Sequence, residues 1–163
     1  MNEQKPGGDR FWRYAPLVIW MAVIFAASTG ALSGANTSRV LGPILRWMIP
    51  HISEAQIEIA HFILRKAAHF TEYAILALFA ARAFVTSSHA ALRRLFFQVA
   101  LTLVVVFSVT DELHQSLVAT RTGSIYDSFI DIAGGLTALT VFTLLRRRSQ
   151  GRSASVNVKS AGI

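Results

Sequence analysis

The chain of 163 residues contains no cysteine and few charged residues. Without cysteine it can have no disulfide framework, no thiolate nucleophile and no cysteine-ligated metal site. Charged residues make up 15% of the chain and hydrophobic residues 53%, which is too apolar for an ordinary soluble domain of this length. The composition therefore indicates one compact unit built for a membrane.

Acidic residues are scarcer than basic ones, with 9 aspartates and glutamates against 16 lysines and arginines. A basic balance of this kind is also found in nucleic-acid-binding proteins. Here, however, basic residues flank long apolar segments, as in Arg93-Arg94 and Arg146-Arg147-Arg148, which is the placement typical of membrane anchors. We therefore expect membrane lipids as partners and no nucleic acid.

Four apolar segments are each close to the roughly 20 residues that a helix needs to cross a hydrocarbon core. They cover residues 12–29, 66–85, 95–115 and 125–145. The first also resembles a secretory signal peptide, since it has a basic start and is followed by the small residues at 33–35. Its length and its bulky Trp20 and Phe25 favour a spanning helix. The pattern predicts an all-α, membrane-spanning four-helix bundle.

Lysine and arginine are unevenly distributed between the two sides of this bundle. Eleven lie at the N-terminus, in and beside the loop between the second and third spans, and in the C-terminal tail, whereas five lie on the other side. Cytoplasmic loops of multi-pass proteins carry the excess of these residues. The prediction is that both termini are cytoplasmic.

The loop after the first span carries two helix signals. Apolar residues at 40–48 follow helical spacing, with Arg39 and Arg46 among them, which predicts a short interfacial helix. Ser53 and Gln56 then match a capping box, so the second long helix is expected to begin directly after Ser53. The resulting domain prediction is a cytoplasmic tail at 1–11, a four-helix domain at 12–147 and a polar, disordered tail at 148–163.

Five of the nine acidic residues lie inside or at the rim of the apolar segments, where an ionised group costs about 3 kcal/mol even on mild scales. At about 1.5 Å per residue, the polar side chains of three spans fall within about 10 Å of the outer surface. Such residues usually face the bundle interior and mark function. The candidate site residues are Lys66, His69, Glu72, Tyr73, Asp111, Glu112, Gln115, Arg121, Asp127 and Asp131.

Helical spacing places most of these residues on one stripe of each span. The stripes are Lys66, His69 and Tyr73 on the second span, Ser108, Glu112 and Gln115 on the third, and Asp127, Asp131 and Gly135 on the fourth. Asp111 and His114 lie on a neighbouring face of the third span. Three helices are therefore expected to share one polar cavity.

The chain contains K-x-x-H-F-x-E-Y from Lys66 and D-E-x-x-Q from Asp111, followed by Arg121, Asp127 and D-x-x-G-G from Asp131. Together these motifs resemble the VanZ-like family of small bacterial membrane proteins. The resemblance covers residues 15–145, and it departs from the usual family pattern at Asp131, where asparagine is common. It implies a cell-envelope protein of the bacterial cytoplasmic membrane, in a family whose founding member is tied to reduced teicoplanin sensitivity. It implies no established reaction.

Two functions fit the cluster. The first is binding of a lipid or lipid-linked cell-wall-precursor headgroup, or of a glycopeptide, with Lys66 and Arg121 contacting phosphate or carboxylate. The second is a membrane hydrolase or transferase acting on a phosphate-bearing lipid, with His69 as general base and Glu112 as its acidic partner. Ion-coupled transport is disfavoured because the inner half of the bundle is apolar except for Arg82.

Each residue also has a plainer interpretation. His69 could pin two helices through Glu112 or Asp131, Lys66 and Arg121 could extend to lipid headgroups, and Asp127 could be a first-turn helix acid. A divalent metal held by histidine and carboxylates is a further alternative. No spacing matches a zinc signature such as H-E-x-x-H, and the nearby cations would compete with a metal, so no cofactor is expected.

Overall fold

A computed structural model describes residues 8–29, 34–118 and 124–161, and these residues contain no β-strand. The helices are α1 (Gly8–Ser28), α2 (Gly34–Met48), α3 (Glu54–Val85), α4 (Ala90–Arg94), α5 (Phe96–Ser116) and α6 (Ile125–Ala161). Four of them, α1, α3, α5 and α6, are long and apolar enough to cross a membrane. The all-α fold with four such helices, predicted from the sequence, is confirmed.

The loop after the first span contains the expected short helix, α2, which carries both Arg39 and Arg46. The predicted start of α3 is also confirmed, because Ser53 and Gln56 form both halves of a capping box. The Ser53 hydroxyl accepts a hydrogen bond from the Gln56 backbone N–H at 3.3 Å, and the Gln56 side-chain oxygen accepts from the Ser53 backbone N–H at 2.9 Å. The chain therefore fixes the start of its longest spanning segment locally.

Helix α3 is the central element of the bundle and packs against α1, α5 and α6. Its 32 residues give a length of about 48 Å, so it extends well past a hydrocarbon core of about 30 Å. Toward its C-terminal end it buries small side chains, among them Ala77, Ala80 and Ala81, which let neighbouring helices approach closely. Tyr73 and Leu76 fill the layer above them and are fully buried.

Helices α3 and α6 are in close contact where Gly134 meets the backbone of Phe70. A Cβ atom built on Gly134 would lie 2.2 Å from the carbonyl oxygen of Phe70. One residue further on, a Cβ on Gly135 would lie 2.7 Å from a methyl group of Val104 on α5. Gly134 therefore sets the spacing of the two helices that carry His69 and Asp131.

Large apolar side chains are exposed around the outside of the bundle. They occur on every long helix, for example Ile19, Phe62, Val106, Phe129 and Val141. An exposed apolar surface of this extent marks a membrane-facing or partner-facing surface. Together with the helix lengths, it indicates a membrane protein.

Helix α6 ends at Ala161. The assignment of residues 148–163 to a disordered tail stays a prediction. The domain boundaries at residues 12 and 147 stay predictions.

The two ends of the bundle differ in character. At one end, which we call the arginine end, α3 and the spanning part of α6 finish and α5 begins, with Arg82, Arg93, Arg94, Arg146, Arg147 and Arg148. At the other end, α1 and α5 finish and α6 begins. The candidate site residues within the described ranges belong to this second end, which we call the polar end.

Candidate functional site

Polar side chains from three helices are buried together at the polar end. None of them is more than 6% exposed, although the surrounding helices present apolar surfaces to the outside. Burying this many polar groups is unfavourable unless they bond to one another or to a ligand. We call the set the polar cluster; its members are His69 on α3, Ser108, Asp111, Glu112 and Gln115 on α5, and Asp127 and Asp131 on α6.

Asp131 lies at the centre of the polar cluster and is fully buried. One of its carboxylate oxygens lies 3.1 Å from Nδ1 of His69 on α3. The other accepts a hydrogen bond from the Ser108 hydroxyl on α5 at 2.9 Å. This carboxyl therefore joins three helices and orients the histidine ring.

Asp127 lies one turn before Asp131 and is almost completely buried. Two cationic side chains of α3 contact its carboxylate. Lys66 forms a hydrogen-bonded ion pair with one carboxylate oxygen, and Arg65 lies 3.4 Å from the other. The Lys66 and Arg65 side chains are 22% and 33% exposed, so they form the boundary between the cluster and its surroundings. Asp127 therefore joins the buried cluster to two partly exposed cations.

Glu112 lies within the cluster on α5, and the described residues hydrogen-bond to one of its two carboxylate oxygens. The backbone N–H of Ser124, just before α6, donates a hydrogen bond to its Oε2 at 2.7 Å. Its Oε1 is buried and has no hydrogen-bond partner among the described residues. Because an unpaired buried carboxylate oxygen is unfavourable, this atom points to a donor that the described residues do not supply.

A second set of contacts connects the cluster to α1. The hydroxyl of Ser28, at the end of α1, hydrogen-bonds to Asp111, whose other oxygen accepts from the Gln115 side-chain amide at 3.1 Å. The amide oxygen of Gln115 is buried without a partner among the described residues. All four long helices therefore contribute to the polar end.

The remaining candidates are placed differently. Tyr73 is fully buried, with its ring centroid 6.4 Å from that of Phe107, in the layer below His69. Glu72 is half-buried, and its backbone carbonyl accepts a hydrogen bond from the Trp20 indole at 2.9 Å, which places it next to α1. Arg121 lies outside the described residues. The roles assigned to all of these residues stay predictions.

Three side chains of the polar cluster are close enough to one another to be considered as metal ligands. One ligand atom each from His69, Glu112 and Asp127 lies within 4.8 Å of the other two, and all three residues are buried. Nitrogen and carboxylate donors of this kind suit a divalent first-row ion. Lys66 already forms an ion pair with Asp127, however, so a metal would have to compete with the lysine ammonium group.

Two residues that bond to the polar cluster were not among the candidates from the sequence. Arg65 shares Asp127 with Lys66, and the only signal for it was its position next to Lys66. Ser28 bonds Asp111, and the only signal for it was its position at the end of the first span. Of the two partners considered for His69, the structure selects Asp131 rather than Glu112.

Comparison with known proteins agrees with this geometry. The family model described as VanZ/LLP1 matches residues 11–146, which contain every residue of the polar cluster. No curated protein and no solved structure matches the chain at a significant level.

Proposed function

We propose that this chain, which belongs to the VanZ/LLP1 family, binds the polar headgroup of an envelope lipid or a lipid-linked cell-wall precursor in its polar cluster. One observation carries the proposal, namely that charged side chains from α3, α5 and α6 converge inside a bundle with an apolar exterior. A purely structural cluster would satisfy its own acceptors. In this one, Glu112 Oε1 and Gln115 Oε1 are unsatisfied among the described residues.

The chemistry of the cluster specifies the kind of headgroup. Its two unsatisfied atoms are acceptors, so they require hydroxyl or amide donors from a ligand. At the boundary of the cluster, Lys66 and Arg65 offer partly exposed cations that suit phosphate or carboxylate. A headgroup that combines phosphate with hydroxyl or amide groups, as in a sugar phosphate, meets both requirements.

The positive-inside rule supports a location for the site. The arginine end carries most of the basic residues, which favours cytoplasmic termini in a bacterial cytoplasmic membrane and a polar end in the outer leaflet. In that position a bound lipid precursor would be the type of molecule that glycopeptides such as teicoplanin encounter. We expect expression of the chain in a teicoplanin-susceptible bacterium to shift its susceptibility, and a Lys66→Gln variant to lose the shift.

Native mass spectrometry of the protein extracted from its own membrane tests the binding proposal. The wild-type chain should carry a co-purifying lipid with a phosphate-bearing headgroup, and Lys66→Gln or Glu112→Gln should lose it. The matched controls are Arg39→Gln and Glu58→Gln, which remove the same charges from exposed positions. Equal lipid content in all five proteins would contradict the proposal.

A second function, catalysis on the bound lipid, is favoured by the orientation of His69. Its Nδ1 faces Asp131, an arrangement that leaves Nε2 to act as a general base, and a Glu112 oxygen lies within 4.8 Å of the ring's ligand atom. Such a site could activate water or a hydroxyl group for attack on a phosphate ester. Proteoliposomes containing a panel of envelope lipids test this: a His69→Gln variant that binds lipid normally but forms no product would support catalysis, and no turnover by wild type would exclude it for that panel.

A further inference from the structure

A groove at the arginine end is separate from the polar cluster and is not explained by it. It lies between the α4–α5 junction and the late part of α6, and its volume is about 410 Å³. That volume is within the range of about 300–1,000 Å³ that is usual for small-molecule sites. We propose that this groove binds an anionic glycerophospholipid of the surrounding membrane; the residues that carry the argument are Arg94, Phe96, Phe97, Gln98, Leu144 and Arg147.

Charge is the first reason for an anionic ligand. Arg94 and Arg147 face the groove from opposite sides, and both are exposed. Neither is in an ion pair with any residue of the described ranges. The sequence has no acidic residue between 73 and 110 or after 131, so α4, the start of α5 and the late part of α6 bring no competing carboxylate. Basic pockets between membrane helices of this kind suit anionic lipid headgroups.

The apolar part of the groove distinguishes a lipid from a soluble phosphate. Phe96 and Phe97 line it together with Leu144, and the guanidinium of Arg146 lies over the Phe96 ring at 5.5 Å from its centroid. The apolar surface of the groove continues along α6 from Leu144 to Val141. These side chains are 53% and 50% exposed, respectively. The phosphate therefore pairs with the two arginines while an acyl chain lies along α6.

This inference does not rest on the function proposed for the polar cluster, and one titration tests it. The full-length protein in detergent is titrated with dioleoylphosphatidylglycerol, dioleoylphosphatidylcholine and inorganic phosphate, and bound species are counted by native mass spectrometry. Phosphatidylglycerol should bind most tightly. The double variant Arg94→Gln/Arg147→Gln should bind it about tenfold to thirtyfold more weakly, as expected for the loss of two cations near the headgroup.

Two matched variants make the result specific. Arg82→Gln/Arg148→Gln removes the same charge from the same end without touching the groove, and it should bind phosphatidylglycerol within about twofold of wild type. Arg94→Lys/Arg147→Lys keeps the charge and should retain most of the binding, which also guards against a folding defect of the glutamine pair. Three outcomes would overturn the inference: equal losses in both glutamine pairs, equal affinity for phosphatidylcholine, or displacement of the lipid by equimolar inorganic phosphate.

Discussion

Asp131 connects α6 to two other helices, because each of its two carboxylate oxygens contacts a side chain on a different helix. His69 and Ser108 each use one oxygen. Asparagine retains an acceptor for His69 and, if the Ser108 hydroxyl turns, a donor for Ser108, whereas alanine retains neither. We therefore predict that Asp131→Asn changes the free energy of unfolding by less than about 1 kcal/mol, and that Asp131→Ala lowers it by about 2–3 kcal/mol.

Denaturant unfolding in a mild detergent, followed by tryptophan fluorescence, measures both changes. The prediction also bears on the family resemblance, since asparagine is common where this chain has Asp131. If the asparagine variant were as unstable as the alanine variant, the carboxylate charge would be essential, and hydrogen bonding alone would not explain the role of Asp131.

Lys66 and Asp127 form a pair whose members are unequal in burial. Removing the lysine leaves a carboxylate that is 1% exposed and whose remaining ion pair within the described ranges is the longer contact from Arg65. We predict that Lys66→Gln lowers the free energy of unfolding by about 3 kcal/mol, the loss typical of a buried charge without its main partner.

A double-mutant cycle separates this pair from the rest of the cluster. Because Lys66→Gln/Asp127→Asn removes both charges, it should be more stable than Lys66→Gln alone, with a coupling energy of about 1–3 kcal/mol. Additive losses would mean that Lys66 acts elsewhere, for example by extending to lipid headgroups. Measuring the co-purifying lipid of the same four proteins shows whether the pair stabilises the fold, contributes to lipid binding, or does both.

At the scale of helices, Gly134 controls how α3 and α6 meet. At Gly134 an added methyl group would collide with the Phe70 backbone, whereas at Gly135 it would meet methyl groups of the Val104 side chain, which shift at lower cost than a backbone. We predict that Gly134→Ala lowers the midpoint of thermal unfolding more than Gly135→Ala does, with a free-energy loss of about 3 kcal/mol against about 1 kcal/mol.

Gly151 provides the control for these glycine variants. Nothing lies within 4 Å of a Cβ built there, so Gly151→Ala should be neutral or slightly stabilising through helix propensity. Since Gly134 also sets the distance between the helices of His69 and Asp131, Gly134→Ala should weaken lipid retention as well. A Gly134→Ala protein as stable as wild type would show that the two helices can separate without loss.

The helices were predictable from sequence to the extent that their signals are local. The Ser53 and Gln56 pair fixed the start of α3, and the apolar runs fixed the four long helices, because caps and periodicity act within a few residues. The pairings inside the cluster were not predictable in the same way. Which acid His69 faces, and that Arg65 joins Lys66, depend on the rotation of α3 against α6, which the close contact at Gly134 sets.

At the scale of the whole molecule, the two ends of the bundle differ in the burial and sign of their charges. The polar end buries mixed charges with unsatisfied acceptors, and the arginine end exposes cations around an apolar groove. Between them, the core is built from alanine, leucine and aromatic residues, with no ionisable chain of contacts joining the ends in the described residues. An apolar core between the two ends is what the two proposed binding surfaces require.

The orientation of these ends in the membrane is a prediction that the chain itself makes easy to test. Because it contains no cysteine, a single introduced cysteine is the only site for a thiol reagent. His51, in the loop before α3, and His89, just before α4, are both exposed and lie beyond opposite ends of the span formed by α3. In intact cells, a membrane-impermeant maleimide should label the protein carrying His51→Cys and spare the one carrying His89→Cys until the membrane is permeabilised. The reverse pattern would place the polar cluster in the inner leaflet, where it would meet cytoplasmic rather than extracytoplasmic headgroups, and the proposed link to teicoplanin would fail with it.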